Sequence, residues 1–227
     1  MQIGERLLKI TSFVNQNAKV ADIGTDHAKI PIYLTQKNII SYAIASDKND
    51  NPLQFAKENI RRFGVEKNID IRLGDGLKSL KKGEVDTIII AGMGGGLITK
   101  ILSDAPNILK EISQLILQPM SEGNILRSWL MENKFLIEDE VLVKEDGKIY
   151  EIISAVHGNM KKLNDAELMF GNIILQNKNE LLKERINSEI FKEKRKIIGM
   201  EKSQKAMNAK EYNFAKNKLK SLEELLW

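Results

Sequence analysis

Cysteine is absent from the 227 residues, and only two histidines, four prolines and two tryptophans occur. Without thiols there can be no disulfides, no iron–sulfur ligands and no thiolate zinc site. His27 and His157 are not paired with each other at metal-ligand spacing, so no metal is expected. No apolar run approaches the ~20 residues that a membrane-spanning helix needs. The amino-terminal Met-Gln-Ile-Gly-Glu-Arg passes directly into an amphipathic pattern instead of a secretion signal. The expected compartment is the cytoplasm, with no membrane partner. Hydrophobic residues make up 42% of the chain, enough for a packed core.

The charge is distributed unevenly. Residues 159–227 hold 15 Lys+Arg against 10 Asp+Glu, whereas residues 1–158 hold 20 against 21. A basic tail suits contact with a polyanion, and it equally suits an ordinary solvated helical face.

Hydrophobic periodicity predicts strands alternating with helices. Leu7, Ile10 and Val14 share one helical stripe. Strands are expected at Lys19–Ile23, Ser41–Ser46, Asp70–Leu73, Asp86–Ala91 and Leu115–Gln118, with helices over 28–37, 51–63 and 124–132 between them. The nearly all-apolar fourth strand fits a central parallel position buried on both faces. Gly92–Gly96 is expected to open the helix behind it. Two further strands, Ile137–Val143 and Lys148–Val156, flank Glu145-Asp146-Gly147, an Asp-Gly hairpin turn that adds an antiparallel strand at one edge. The sum is an α/β, seven-stranded Rossmann-like domain over residues 1–159. Beyond Leu163 there is no strand signal and no proline. Leu182, Ile186, Ile190 and Ile197 share a face, as do Tyr212, Ala215, Leu219, Leu222 and Leu226. Residues 160–227 therefore read as an antiparallel helical (coiled-coil) hairpin.

In such a sheet, ligands bind beyond the carboxyl ends of the strands near the switch in strand order. The first of these ends is Asp22-Ile23-Gly24-Thr25-Asp26-His27. A dinucleotide fingerprint needs three spaced glycines, and only Gly24 is present. The flanking acids would repel a pyrophosphate. They suit a ligand carrying sulfonium and ammonium, which describes S-adenosylmethionine. Asp47 closes the second strand, where a carboxylate can accept both ribose hydroxyls. Asp75-Gly76 closes the third, where an acid beside a permissive glycine can accept an adenine amine. Any one of these acids alone reads as a plain loop or turn. Three at successive strand ends make a cofactor set. Ala91, Gly92, Met93, Gly94 and Gly95 end the fourth strand, where methyl and acceptor meet. No acid, amide or aromatic lies there to take protons from an exocyclic amine, so an acceptor nitrogen with its own lone pair fits better.

These residues closely resemble one family. Asp22-Ile23-Gly24-Thr25-Asp26-His27-Ala28 with Pro31, Ala43–Asp47 with Pro52-Leu53, Gly74–Leu77, Ala91–Gly95, Leu117-Gln118-Pro119, Arg127-x-Trp129-Leu130 and Glu145–Glu151 are similar to motifs of the bacterial tRNA adenine-22 N1-methyltransferases. The resemblance spans residues 4–158, and the tail matches only in kind. It implies a class I methyltransferase fold, S-adenosylmethionine as cofactor, tRNA as partner and a monomeric enzyme. Asp22, Gly24, Asp26, His27, Asp47, Asp75, Gly76, Ala91, Gly92 and Met93 would hold the cofactor. Asp26, His27, Gly92 and Met93 would surround the reaction, with Asp26 offsetting charge on the methylated ring or accepting an N6 proton. The substrate would meet Gly94, Gly95, Gln118, Pro119 and Met120, in a pocket between the Gly92–Gly96 loop, a Gln118-Pro119 loop and His27. Met120 departs from the family, which usually has Asn there, and Asn51 stands where glycine is common. Trp129 and Tyr150 sit in apolar patterns and read as core.

Three rival readings stand beside this one. The same fold could modify another RNA position, or it could act on a small molecule or a protein, either of which would need no basic hairpin. It could survive as a non-catalytic RNA-binding module, although decay should erase the strand-end acids first. A nicotinamide dehydrogenase fits least, lacking the glycines.

Overall fold

The computed structural model describes residues 1–227, the side chain of residue 206 excepted. Two compact units divide the chain, Met1–Ile173 and Ile174–Trp227. In chain order the first contains α1 (Glu5–Thr11), β1 (Lys19–Ile23), α2 (Lys29–Gln36), β2 (Tyr42–Asp47), α3 (Asp50–Arg62), β3 (Ile69–Leu73), β4 (Thr87–Gly94), α4 (Gly95–Ser103), α5 (Pro106–Leu109), β5 (Gln114–Ser121), α6 (Gly123–Glu132), β6 (Phe135–Glu145), β7 (Lys148–His157) and α7 (Asp165–Phe170). The division falls inside α8 (Asn172–Asn177), and α9 (Glu180–Met200), α10 (Gln204–Met207) and α11 (Lys210–Glu223) complete the second unit.

The seven strands form one sheet in the order β3-β2-β1-β4-β5-β7-β6. Strands β1 to β5 pair in parallel, and β7 runs antiparallel to both β5 and β6. The reversed strand is therefore one place in from the edge, not at the edge as expected. A tight hairpin makes the difference: Asp146 (φ 49°) and Gly147 (φ 73°) turn β6 straight into β7, which slots against β5 and leaves β6 outermost.

Alternation along the central strand explains the core. Ile88 and Ile90 pack with Ile98, Leu102, Leu126 and Leu130 from α4 and α6, while Ile89 faces Ile10, Ile32, Leu34 and Ile60 from α1 to α3. Successive side chains point to opposite faces, and both faces are covered, hence an unbroken apolar run.

The first unit extends past the boundary read at residue 159. Strand periodicity ends there, but packing does not. Asn164 caps α7 through a reciprocal box with Glu167 (both bonds 2.9 Å), and Phe170 is fully buried. Arg127 of α6, also fully buried, donates from Nε to Glu140 (2.9 Å) and from Nη2 to Glu151 (2.7 Å) on the hairpin, and from Nη1 to the Leu168 carbonyl (3.2 Å). Glu140 in turn accepts from the Ile173 N–H (2.9 Å).

Within the second unit, Lys218–Glu193 (2.6 Å), Lys194–Glu223 (2.8 Å) and Tyr212–Glu201 (2.8 Å) link α9 and α11 in opposite chain directions. Leu182, Ile186, Ile190, Ile197, Ala215 and Leu222 are buried, as their spacing predicts.

Candidate active site

The strand ends of β1 to β4 open into one cleft of about 450 Å³, within the usual range for small-ligand sites. Nine of the ten expected cofactor residues line it: Asp22, Gly24, Asp26, Asp47, Asp75, Gly76, Ala91, Gly92 and Met93. The tenth, His27, is not on the lining. Its ring lies 5.1 Å from that of Phe55, and Nε2 is 3.0 Å from an Asp26 carboxylate oxygen.

The β1–α2 turn is held by backbone. Gly24 and Thr25 donate their N–H groups to the Ser46 carbonyl (2.8 and 3.0 Å), which ties the turn to the end of β2. His27 and Ala28 both adopt left-handed conformations (φ 60° and 53°), uncommon for residues with a Cβ. Asn59 donates to the His27 carbonyl (3.1 Å) and helps hold this strained step.

Asp22 stands apart electrostatically. It is 5% exposed, and Thr25 Oγ1 donates to its Oδ2 at 2.5 Å. Burial raises its carboxyl to about pKa 6, Asp26 and Asp47 add repulsion, and the Thr25 hydrogen bond offsets part of the shift. A carboxylate at this depth would be favoured in its charged form by a positive group brought beside it. Asp26 and Asp75 are largely exposed, at 73% and 72% of their side chains.

The expected substrate residues are placed differently. The Gln118-Pro119 stretch is not a loop, because β5 continues to Ser121. Pro119 is buried, and Gln118 is 0% exposed with both amide atoms bonded inside the protein. At Gln118 and Pro119, β5 pairs with β4 alone, and both residues are buried and do not form an open pocket wall. Met120, 52% exposed, is the first residue of that segment to reach solvent. Strand β4 likewise runs on through Gly94 with a bulge around Gly92, so helix α4 begins at Gly95 and not at Gly92.

Gly95 is buried at that helix start, and a Cβ there would press on the Glu122 carbonyl oxygen and lie 3.0 Å from that of Ser121. Both are backbone atoms and cannot swing aside. Gly95→Ala is expected to lower stability by about 1–3 kcal/mol, read from its thermal unfolding beside wild type.

Sequence reasoning missed Arg6, Lys29, Lys48, Leu97 and Ile101 on the cleft lining. None lies in a recognisable motif, and Arg6 sits in an ordinary amphipathic helix. Tyr150, read as core, is half-buried and carries the Arg6 guanidinium 5.3 Å above its ring. Trp129 does pack against the core, with its Nε1 donating to Ser103 (2.7 Å).

A family model described as a methyltransferase domain matches residues 3–153. A tRNA (adenine(22)-N(1))-methyltransferase of Bacillus subtilis is 35% identical over 195 residues, covering 84% of this chain and 82% of the relative. The chain belongs to this methyltransferase family. Among solved structures, the B. subtilis m1A22 tRNA methyltransferase superposes with a TM-score of 0.91 at 30% identity, over 100% of this chain and 99% of that one. A Streptococcus pneumoniae homologue in complex with S-adenosyl-L-methionine gives 0.91 at 32% identity, over 100% of both chains. The methyltransferase thus shares fold and length with these solved structures, the second of which holds S-adenosyl-L-methionine. Among the described residues, no group of three or more His, Asp or Glu side chains could hold a metal, and no helix is long and apolar enough to cross a membrane.

Proposed function

We propose that the chain transfers a methyl group from S-adenosylmethionine to N1 of adenine 22 in tRNA, acting as a cytoplasmic monomer. The observation that carries the reading is the row of carboxylates at consecutive strand ends around one cleft, with Asp22 buried at its base. Asp22 and Asp26 suit the ammonium and sulfonium end of the cofactor. Asp47 suits the ribose hydroxyls and Asp75 the adenine amine, with Gly76 and Gly24 allowing close approach. Met93 and Gly92 border the place where the reacting groups meet, and Asp26 faces the charge that appears on the methylated ring.

S-adenosylmethionine, when bound, supplies a methyl carbon already activated by sulfonium. The protein's share is then orientation, worth up to roughly 7–11 kcal/mol in favourable cases. Adenine N1 lies on the pairing edge, so the base must leave its stack to react. Gly94 and the exposed Met120 and Leu97 border the acceptor side, where an apolar surface can receive a flipped base. The basic second unit suits contact with tRNA phosphates, giving register without reading bases.

The test is methyl transfer from labelled cofactor to unmodified tRNA transcripts carrying A22 or G22, mapped by primer-extension arrest. Arrest opposite position 22 in the A22 transcript alone is the expected result. Transfer at another nucleotide would replace the proposed target within the same chemistry, and transfer only to a small molecule would remove tRNA from the reading.

A further inference from the structure

Strand β4 skips one residue against β5. Ala91 pairs with Gln118 and Met93 with Pro119, which leaves Gly92 without a partner in the ladder. A bulged N–H must be satisfied elsewhere, and here Gln118 Oε1 accepts it at 3.1 Å. The same oxygen accepts from Arg6 Nη1 at 2.7 Å, while Gln118 Nε2 donates to the Pro119 carbonyl at 2.9 Å. Arg6 is itself held from three sides. Glu145, the last residue of β6, accepts from the Arg6 backbone N–H (3.1 Å) near the start of α1 and lies 3.5 Å from Arg6 Nε, and Tyr150 lies under the guanidinium.

This arrangement locks one orientation of the Gln118 amide, which the Gly92 N–H and the Pro119 carbonyl favour and to which Arg6 adds a charged donor. Its amide can rotate by half a turn at almost no steric cost, exchanging oxygen and nitrogen. With the arginine in place, the flipped form would set the NH2 group against two donors, Arg6 and the Gly92 N–H. We propose that Arg6 is a positioning residue for the transfer reaction: by clamping the Gln118 amide with a charged hydrogen bond, it fixes Gly92 and thereby the loop at the methyl acceptor. The proposal rests on the methyltransferase reading of the cleft. It concerns the path from the hairpin through Glu145, Arg6 and Gln118 to Gly92, none of which is among the acids at the ends of β1 to β3.

The test uses the full chain with Arg6→Met, which keeps the stem and removes the donors, and Arg6→Lys, which restores one. Three quantities are read: hydrogen exchange at the Gly92 amide in glycine-labelled protein, the cofactor dissociation constant by calorimetry, and the single-turnover rate on the A22 transcript. Arg6→Met is expected to speed Gly92 exchange at least ~10-fold and to slow transfer by ~10–100-fold, since displacements of about 1 Å can cost that much. Arg6 and Gly92 both line the cleft, so cofactor affinity should fall as well but by a smaller factor than the transfer rate, and Arg6→Lys should recover part of the loss. A double variant with Gln118→Leu should be no slower than Gln118→Leu alone, because both changes cut one path. Multiplying effects would overturn the proposal. So would unchanged Gly92 exchange, or a loss confined to cofactor affinity. If Arg6→Met does not fold, Glu145→Gln loosens the same clamp from outside the cleft and should show the same pattern at smaller size, its absence counting against the clamp. Failure of the wild-type chain to methylate A22 would instead strike the functional reading, and the Gly92 amide would still decide the clamp.

Discussion

Replacing Arg127 by methionine is expected to lower the unfolding free energy by about 3–5 kcal/mol, because it leaves the Glu140 and Glu151 carboxylates buried and facing each other without their cation. Arg127 and Glu140 are both 0% exposed and Glu151 is 5% exposed, so water cannot take over the lost contacts. At ~2–4 °C per kcal/mol for a chain of this size, the melting temperature should fall by roughly 6–20 °C. Differential scanning calorimetry of the full chain measures it. The specific signature is rescue: Arg127→Met combined with Glu140→Leu and Glu151→Leu should recover most of the loss, since an apolar replacement of a buried ion cluster is often neutral. A single variant as stable as wild type would show that the triad contributes nothing to the fold.

Asp22→Asn should raise the stability of the free protein while weakening cofactor binding. Its pKa of about 6 lies above the ordinary 3.8, so the folded state prefers the protonated form. Below about pH 4 both states hold the proton and there is no penalty. Between about pH 4 and 6 the unfolded chain ionises first, so this group's contribution to stability falls as pH rises. Above that window the cost levels off at about 3 kcal/mol, at 1.36 kcal/mol per unit. Asparagine removes the charge and should return about 1–3 kcal/mol at pH 8, the variance depending on what its NH2 group finds. On the proposed role of Asp22 at the cofactor, the same change deletes a charged hydrogen-bond partner, worth ~10–100-fold in affinity. In the wild type, cofactor affinity should fall as pH drops through about 6, approaching at most tenfold per unit, and in Asp22→Asn that slope should vanish. Calorimetric titration between pH 5 and 8 reads both. A slope that persists in the variant would move the titrating group elsewhere.

Much of the fold was legible because its signals are local. The β1 boundaries match the reading from periodicity residue for residue, and the buried stripe of α9 follows from spacing alone, whereas of the five residues expected to share a face of the last helix only Ala215 and Leu222 are buried. The strand-end acids were legible for the same reason: a parallel sheet places consecutive strand ends side by side, so residues far apart in sequence fall around one cleft by topology. Boundaries failed where a local signal stops but packing or pairing continues. Strand β5 runs on through Pro119 and Met120, and β4 continues through its bulge to Gly94. Residues 160–173 stay with the first unit because of Arg127, Phe170 and the α7 cap.

The amino-acid sequence by itself determined the alternating α/β architecture, the helical second unit, the acids around the cleft at the strand ends and the family to which they point. Those features depend on residue type and spacing, which the chain carries wherever it goes. Only the tertiary structure decided where β7 inserts, how deeply Asp22 is buried, that Gln118 is buried with its amide bonded inside the protein, and that Arg6 reaches it from a segment 112 residues earlier. Each of these depends on which groups from distant segments exclude water together, and desolvation and hydrogen-bond pairing are properties of that assembled environment, with no counterpart in any local stretch of sequence.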